Sequence, residues 1–362
     1  MSPDRHDRSG LVVALQANYC WVELDTPSAE SGQQQRLLCT RRTRLAKSGQ
    51  TICVGDRVRL EGIDWPSGRA AIGAVAPRTS LISRPAVANV SLVVVVVAVA
   101  EPALDPIQLT RFLITAETSG QPVLLVFSKA DLLPEKEVQQ WCTRAIGWGY
   151  GALAVSCRDG LGLEPLRQRL SQPGLAVVCG PSGVGKSSLL NGLRPELELQ
   201  VGAVSGRLQR GRHTTRHVEL FALAQRALVA DTPGFNRPEL PADPAQLAGL
   251  FPEVRQRLIS GGCQFRDCLH QGEPGCVVGS GWERYPWYSL CLQDLCQQQE
   301  RLQRQGQQRG NDQGMRQRGD RLEPRLAPQH RQLSRRRQRQ QLRCDDGSDE
   351  PGFSPRDRAD SG

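Results

Sequence analysis

Residues 175–193 read LAVVCGPSGVGKSSLLNGL, and inside them Gly180-Pro181-Ser182-Gly183-Val184-Gly185-Lys186-Ser187 matches G-x-x-x-x-G-K-[ST] at every fixed position. The apolar run 175–179 reads as a strand, and 187–193 reads as a helix that the loop opens. Strand, glycine-rich loop and helix are the setting in which this motif cradles phosphate. Glycines let successive backbone N–H groups curl around phosphate oxygens, and the helix N-terminus adds its positive end. Lys186 would reach the β- and γ-phosphates and act in catalysis, the Ser187 hydroxyl would ligate Mg²⁺, and Ser188 follows on the first turn.

Working outward, Asp231-Thr-Pro-Gly234 follows a second apolar run at 227–230. An acidic residue at a strand end beside a phosphate loop can hold the Mg²⁺ shell, and the Gly234 N–H can sense a γ-phosphate. Between the two motifs lies the basic segment Gly211-Arg-His-Thr-Thr-Arg216. Thr214 or Thr215 would complete the Mg²⁺ shell there, with Thr215 the expected ligand beside Ser187.

Upstream, Ser128-Lys129-Ala130-Asp131 follows the strand expected at 122–127. It resembles the N-K-x-D motif that reads guanine. The Asp131 carboxylate would accept from the ring N–H and exocyclic amine, a donor pair that adenine lacks. The Lys129 stem would pack on the base. Ser128 replaces the asparagine, which removes an amide able to bridge base and phosphate loop. Ser156-Cys157-Arg158, after the strand expected at 152–155, is the candidate loop that closes over the base.

From 86 to 235 apolar strands alternate with amphipathic helices: strands at 92–99, 122–127, 152–155 and 175–179, helices near 106–119, 134–147 and 163–170. That rhythm specifies a parallel sheet, whose ligands bind at the carboxyl ends of the strands. Before it, short β-type runs at 11–14, 20–24, 36–40, 57–60 and 70–75 are separated by polar and Gly-containing turns. They suit a small barrel, of which the OB-fold is the best-known nucleic-acid-binding version. After about 240 the chain looks helical. From 297 onward it is dominated by Gln, Arg, Asp and Gly, a composition that predicts disorder.

The 362 residues carry a formal charge of +9, which favours a polyanionic partner. The apolar run at 92–100 is about half the ~20 residues that a membrane span requires. No secretory signal is visible, so a cytoplasmic location and no membrane association are expected. In the cytosol thiols stay reduced. The 12 cysteines are therefore read first as core residues or metal ligands.

Cys263-x₄-Cys268-x-His270-x₅-Cys276 offers three thiols and one imidazole. Four such ligands make a closed tetrahedral site for one structural Zn²⁺. Cys291 and Cys296 fit helical packing better than a second site. Arg41, Arg42, Arg44 and Lys47 form a basic cluster suited to RNA phosphates, and the run 331–343 reads as a solvated, disordered tail, with nonspecific RNA affinity as an added reading. Tyr19 and Trp21 would stack on bases or fill the barrel core.

Ordinary GTPases place the phosphate loop first and the base motif late. Here the order is base motif, closing loop, phosphate loop, switch segment, D-x-x-G: a circular permutation. With the barrel before it and the Cys/His cluster after it, the chain resembles the RsgA (YjeQ-like) family of small-ribosomal-subunit biogenesis GTPases over about residues 10–295. The resemblance implies an α/β circularly permuted P-loop GTPase domain (81–240). An all-β OB-fold RNA-binding barrel (10–80) precedes it, and a small helical zinc-binding domain (241–296) follows. Residues 1–9 would be a flexible N-terminus and 297–362 a disordered tail. It also implies binding to GTP and GDP, to the 30S subunit and to its 16S rRNA, as a monomer, with hydrolysis coupled to release late in maturation. A further reading is an RNA-binding assembly factor that uses guanine nucleotide only as an occupancy switch. An adenine-nucleotide phosphotransferase sharing the phosphate loop is another. Phe235 stands where many GTPases carry a water-orienting glutamine. His213 is the candidate to orient that water, or else it touches phosphate or RNA.

Overall fold

The computed structural model describes residues 8–16, 19–25, 36–42, 45, 51–83, 86–197, 218–231, 238–318 and 321–324. It divides into two compact units, 1–296 and 297–362.

The first five strands close into a barrel: β1 (Arg8–Gln16), β2 (Tyr19–Leu24), β3 (Arg36–Arg41), β4 (Arg57–Asp64) and β5 (Arg69–Val75). Their order is β1-β2-β3-β5-β4, and β4 returns to pair with β1. The β3–β5 pair is parallel and the other four are antiparallel. This is the closed five-stranded, OB-like arrangement. Alternation explains it: Val58 and Leu60 point inward from β4 while Arg57 and Arg59 face water. Val12, Val22, Leu37 and Ile72 fill the interior.

β1 starts at Arg8, inside the stretch expected to be flexible, because Arg8, Ser9 and Gly10 pair with Leu60, Arg59 and Val58. Tyr19 is exposed, whereas Trp21 packs against the core of the parallel sheet. Of the basic cluster, Arg41 is exposed and Arg42 pairs with Glu61 at 3.0 Å. Arg44 and Lys47 lie outside the described residues, as does the run 331–343.

Two short strands, β6 (Leu81–Ser83) and β7 (Ala86–Ala88), lead into the α/β layer. The layer holds β8 (Leu92–Ala98), α1 (Pro106–Glu117), β9 (Val123–Ser128), α2 (Glu135–Gly147), β10 (Gly151–Val155) and α3 (Leu163–Leu170). It continues with β11 (Gly174–Cys179), α4 (Lys186–Leu193), β12 (Glu219–Ala224) and β13 (Ala227–Asp231). Strand order is β10-β9-β8-β11-β13-β12, parallel except for β12. One pairing, Ala14 with Glu219, makes sheet and barrel hydrogen-bonded neighbours. β8 shows why the LVVVVVA run is apolar throughout. Val93, Val95 and Val97 enter the core under α1 and α2, while Val94 and Val96 enter the core under α3 and α4. Each fully buried valine contributes roughly 1.5–3 kcal/mol.

The last part of the first unit is helical: α5 (Pro244–Leu247), α6 (Pro252–Leu258) and the start of α7 (Tyr285–Gly314). Phe251, Trp282 and Tyr288 form its aromatic core. Arg284 is fully buried and makes two bonds to Glu253, at 2.6 and 2.5 Å. α7 runs past residue 297, where the composition predicts disorder. Gln and Arg are good helix formers even without an apolar face, and Glu300 pairs with Arg304 one turn on. In the second unit β14 (Met315–Arg318) pairs antiparallel with β15 (Arg321–Pro324). Among the described residues no helix is long and apolar enough to cross a membrane.

Candidate functional site

The phosphate loop leaves β11, which lies between β8 and β13 in the middle of the parallel strands. Gly180 has φ +142°, and a Cβ there would sit 2.0 Å from the Val96 carbonyl oxygen, so only glycine passes under the neighbouring strand. Gly183 and Gly185 also have positive φ, and Gly185 caps α4. Leu189, Leu190 and Leu193 anchor that helix in the core. The Lys186 ammonium arches back over the loop and donates to the Gly180 and Pro181 carbonyls at 2.8 and 2.7 Å. Burial pushes the Cys179 thiol up, the Lys186 charge opposing only in part, so this cysteine is a neutral core residue.

Beside the loop lies a cavity of about 300 Å³, at the lower end of the size range for small-molecule sites. Of the residues expected to bind nucleotide, Ser128, Lys129, Asp131, Cys157, Val184, Gly185 and Ser188 line it. Pro181, Ser182 and Gly183 belong to the adjoining loop. Ser156 stands behind the wall: it is fully buried, and its Oγ accepts from the Arg158 N–H at 3.2 Å, which shapes the closing loop. Burial raises the Cys157 thiol, and the nearby Asp131 carboxylate raises it further. Lys129 takes a left-handed φ of 56°, and its ammonium donates to the Glu101 carbonyl.

Ser128 does more than its sequence suggests. Its Oγ lies 2.6 Å from the Val184 carbonyl oxygen and 3.1 Å from that of Val97. The link from base motif to phosphate loop therefore survives without an amide.

Glu101 and Leu132 also line the cavity and were not singled out from the sequence. Glu101 follows β8, so the strand-end rule that found Ser128 and Ser156 points to it as well. Asp231 ends β13 with its backbone in register with Val178, two residues before Gly180. That puts Asp231 at the strand end beside the start of the phosphate loop. His213, Thr214, Thr215, Gly234 and Phe235 lie outside the described residues.

Cys263, Cys268, His270 and Cys276 bring their ligand atoms within 4.8 Å of one another. His270 Nδ1 lies 3.5, 3.4 and 3.4 Å from the sulfurs of Cys263, Cys268 and Cys276. The Cys263 and Cys276 sulfurs are 3.9 Å apart. A tetrahedron with zinc bond lengths has N–S edges of about 3.6 Å and S–S edges of about 3.8 Å, so the donor set fits one Zn²⁺. Burial lowers the His270 pKa and favours the neutral imidazole that a metal requires. Cys291 is buried in the aromatic core, apart from the four ligands.

Residues 75–241 match the family described as RsgA GTPase. The chain is 60% identical over 284 residues to the small ribosomal subunit biogenesis GTPase RsgA of Synechococcus sp. (strain CC9605), covering 78% of this chain and 93% of that one. It is 59% identical to the protein of the same name from Parasynechococcus marenigrum (strain WH8102), covering 79% and 95%. Among solved structures, YjeQ from Thermotoga maritima aligns with a TM-score of 0.66 and 29% identity, covering 80% of this chain and 99% of that one. YloQ, a circularly permuted GTPase, shares the fold at a TM-score of 0.65 and 24% identity, covering 82% and 98%.

Proposed function

The chain belongs to the RsgA GTPase family, and from that membership we propose that it binds and hydrolyses GTP in the cytoplasm while serving biogenesis of the 30S ribosomal subunit. The observation that carries this reading is the cavity where Asp131 and Lys129 face the phosphate loop. Asp131 takes the guanine N–H pair, and the Lys129 stem covers one face of the ring. The closing loop at Cys157 and Arg158 shuts the other side. The backbone N–H groups of 180–188 and the Lys186 ammonium hold the phosphates, so Lys186 exchanges its bonds to loop carbonyls for phosphate oxygens. Ser187, Asp231 and Thr215 would hold Mg²⁺, which would supply positive charge to offset that of the phosphates. His213 orients the attacking water, since Phe235 has no group to do so. Thr214 and Gly234 respond to the γ-phosphate.

The exposed Arg41 on the barrel suits 16S rRNA phosphates, and the protein acts on the subunit as a monomer. Cys263, Cys268, His270 and Cys276 would hold one Zn²⁺ with no open coordination position, so its contribution would be structural and not catalytic. GTP hydrolysis, measured with and without 30S particles beside an ATP control, tests substrate and partner together. Stimulation by 30S with GTP alone is expected; equal turnover of ATP, or no response to 30S, sinks the reading. In Asp131→Ala the preference for GDP over ADP should fall by about tenfold or more, because bonds to a charged acceptor are worth ~1.5–3 kcal/mol.

A further inference from the structure

Ser128 is 4% exposed and its hydroxyl faces two main-chain carbonyls, Val184 at 2.6 Å and Val97 at 3.1 Å. A serine hydroxyl owns one proton. With that proton turned to a carbonyl, the oxygen presents only lone pairs to any other neighbour. An asparagine amide in this place has two protons and a carbonyl, enough to hold the loop and a base at once.

Asp131, an acceptor, takes the edge of guanine that carries its N–H donors. The five-membered ring, whose N7 lies across C8 from the glycosidic nitrogen, then turns toward the phosphate loop, where Ser128 stands. N7 is an acceptor. Facing the Ser128 oxygen it would meet lone pair with lone pair, which makes no bond. The Lys129 ammonium is engaged at the Glu101 carbonyl.

We propose that Ser128 is a positioning residue that braces the phosphate loop and leaves guanine N7 unread, so that the site accepts 7-deazaguanine nucleotides as readily as guanine nucleotides. The inference rests on the guanine reading of Asp131 given above. Base discrimination is then concentrated in one carboxylate.

The test is the dissociation constant of the full chain for GDP, 7-deaza-GDP and inosine diphosphate, each in Mg²⁺ buffer. A neutral hydrogen bond to N7 would be worth about 2–12-fold. The 7-deaza compound should bind within about twofold of GDP, and a larger loss overturns the inference. Inosine diphosphate, which lacks the exocyclic amine, should bind about tenfold or more weakly. If it binds as tightly as GDP, the guanine reading fails and takes the inference with it. Ser128→Ala removes the brace and should weaken GDP and 7-deaza-GDP by one common factor of about 2–12. A change in the ratio of the two ligands, or no weakening of either, overturns the role given to Ser128.

Discussion

The cavity beside the phosphate loop draws its walls from segments following β8, β9, β10 and β11, spread over residues 101–188. The Cys/His group takes all four ligand atoms from residues 263–276. The first is held in shape by a sheet buried on both faces, before any ligand arrives. The second is a loop without helix or strand between 261 and 284, with His270, Gly272 and Gly275 all at positive φ, although Leu269, Cys263 and Cys276 rest on the aromatic core. Two of its N–H groups, Leu269 and Gln271, are satisfied by the Glu273 carboxylate at 2.8 and 2.6 Å. A pocket built by distant strands outlives the loss of a ligand. A loop built around its ligand does not. Structural zinc supplies on the order of 10 kcal/mol in small zinc modules, the largest single contribution in this comparison. Chelating the metal, or replacing Cys268 with serine, should therefore expose the amides of 263–276 to hydrogen exchange while leaving GDP affinity within about twofold. A collapse of GDP binding on chelation would show that the two regions are one structure.

The next largest effect lies at the seam between them. Arg284 is bonded to Glu253, and its guanidinium faces the rings of Trp148 and Tyr150, which bracket the turn into β10. The Trp148 indole N–H donates to Glu283 at 2.6 Å in the same contact. Arg284→Ala strands the Glu253 carboxylate in an apolar site, which should cost about 3–5 kcal/mol in a denaturant titration. The double change Arg284→Met with Glu253→Leu should recover most of that loss, because no unpaired charge remains. A double variant as unstable as the single one would place the cost in packing instead of charge.

How much of this is legible in the sequence follows the range of each interaction. The strands and helices of the α/β layer can be read because their apolar periods are local. The phosphate loop and the four metal ligands can be read because each chemistry needs its residues close together. The destination of the Ser128 hydroxyl cannot be read, since Val184 lies 56 positions away along the chain. The Glu253–Arg284 pair spans 31 positions and leaves no periodic trace. The Gln- and Arg-rich extension of α7 misleads for a different reason: low apolar content argues for disorder, yet the same residues have good helix propensity. Glu101 is legible, because it follows β8 as Lys129 and Asp131 follow β9 and Cys157 follows β10.

The smallest expected effect divides the two regions most cleanly, because it applies one change to both. Asp105 and Asp243 are the same device. Each carboxylate accepts the N–H two residues on, Ile107 at 2.9 Å and Ala245 at 3.0 Å, and each is followed by a proline at the first helical position. Replacing such a cap with alanine costs about 1 kcal/mol. α1 has 12 residues and buries Leu109, Phe112 and Leu113 against the sheet, so Asp105→Ala should lower the global unfolding free energy by that amount and shift the midpoint down accordingly. α5 has four residues, and Asp243→Ala should be felt as faster local exchange over 243–251 with almost no change in the midpoint. The cap chemistry is equal, so any difference measures how far each region shares its load with the sheet. Equal shifts of the midpoint would mean that pocket and metal module unfold as one cooperative unit, and the contrast between them would fail.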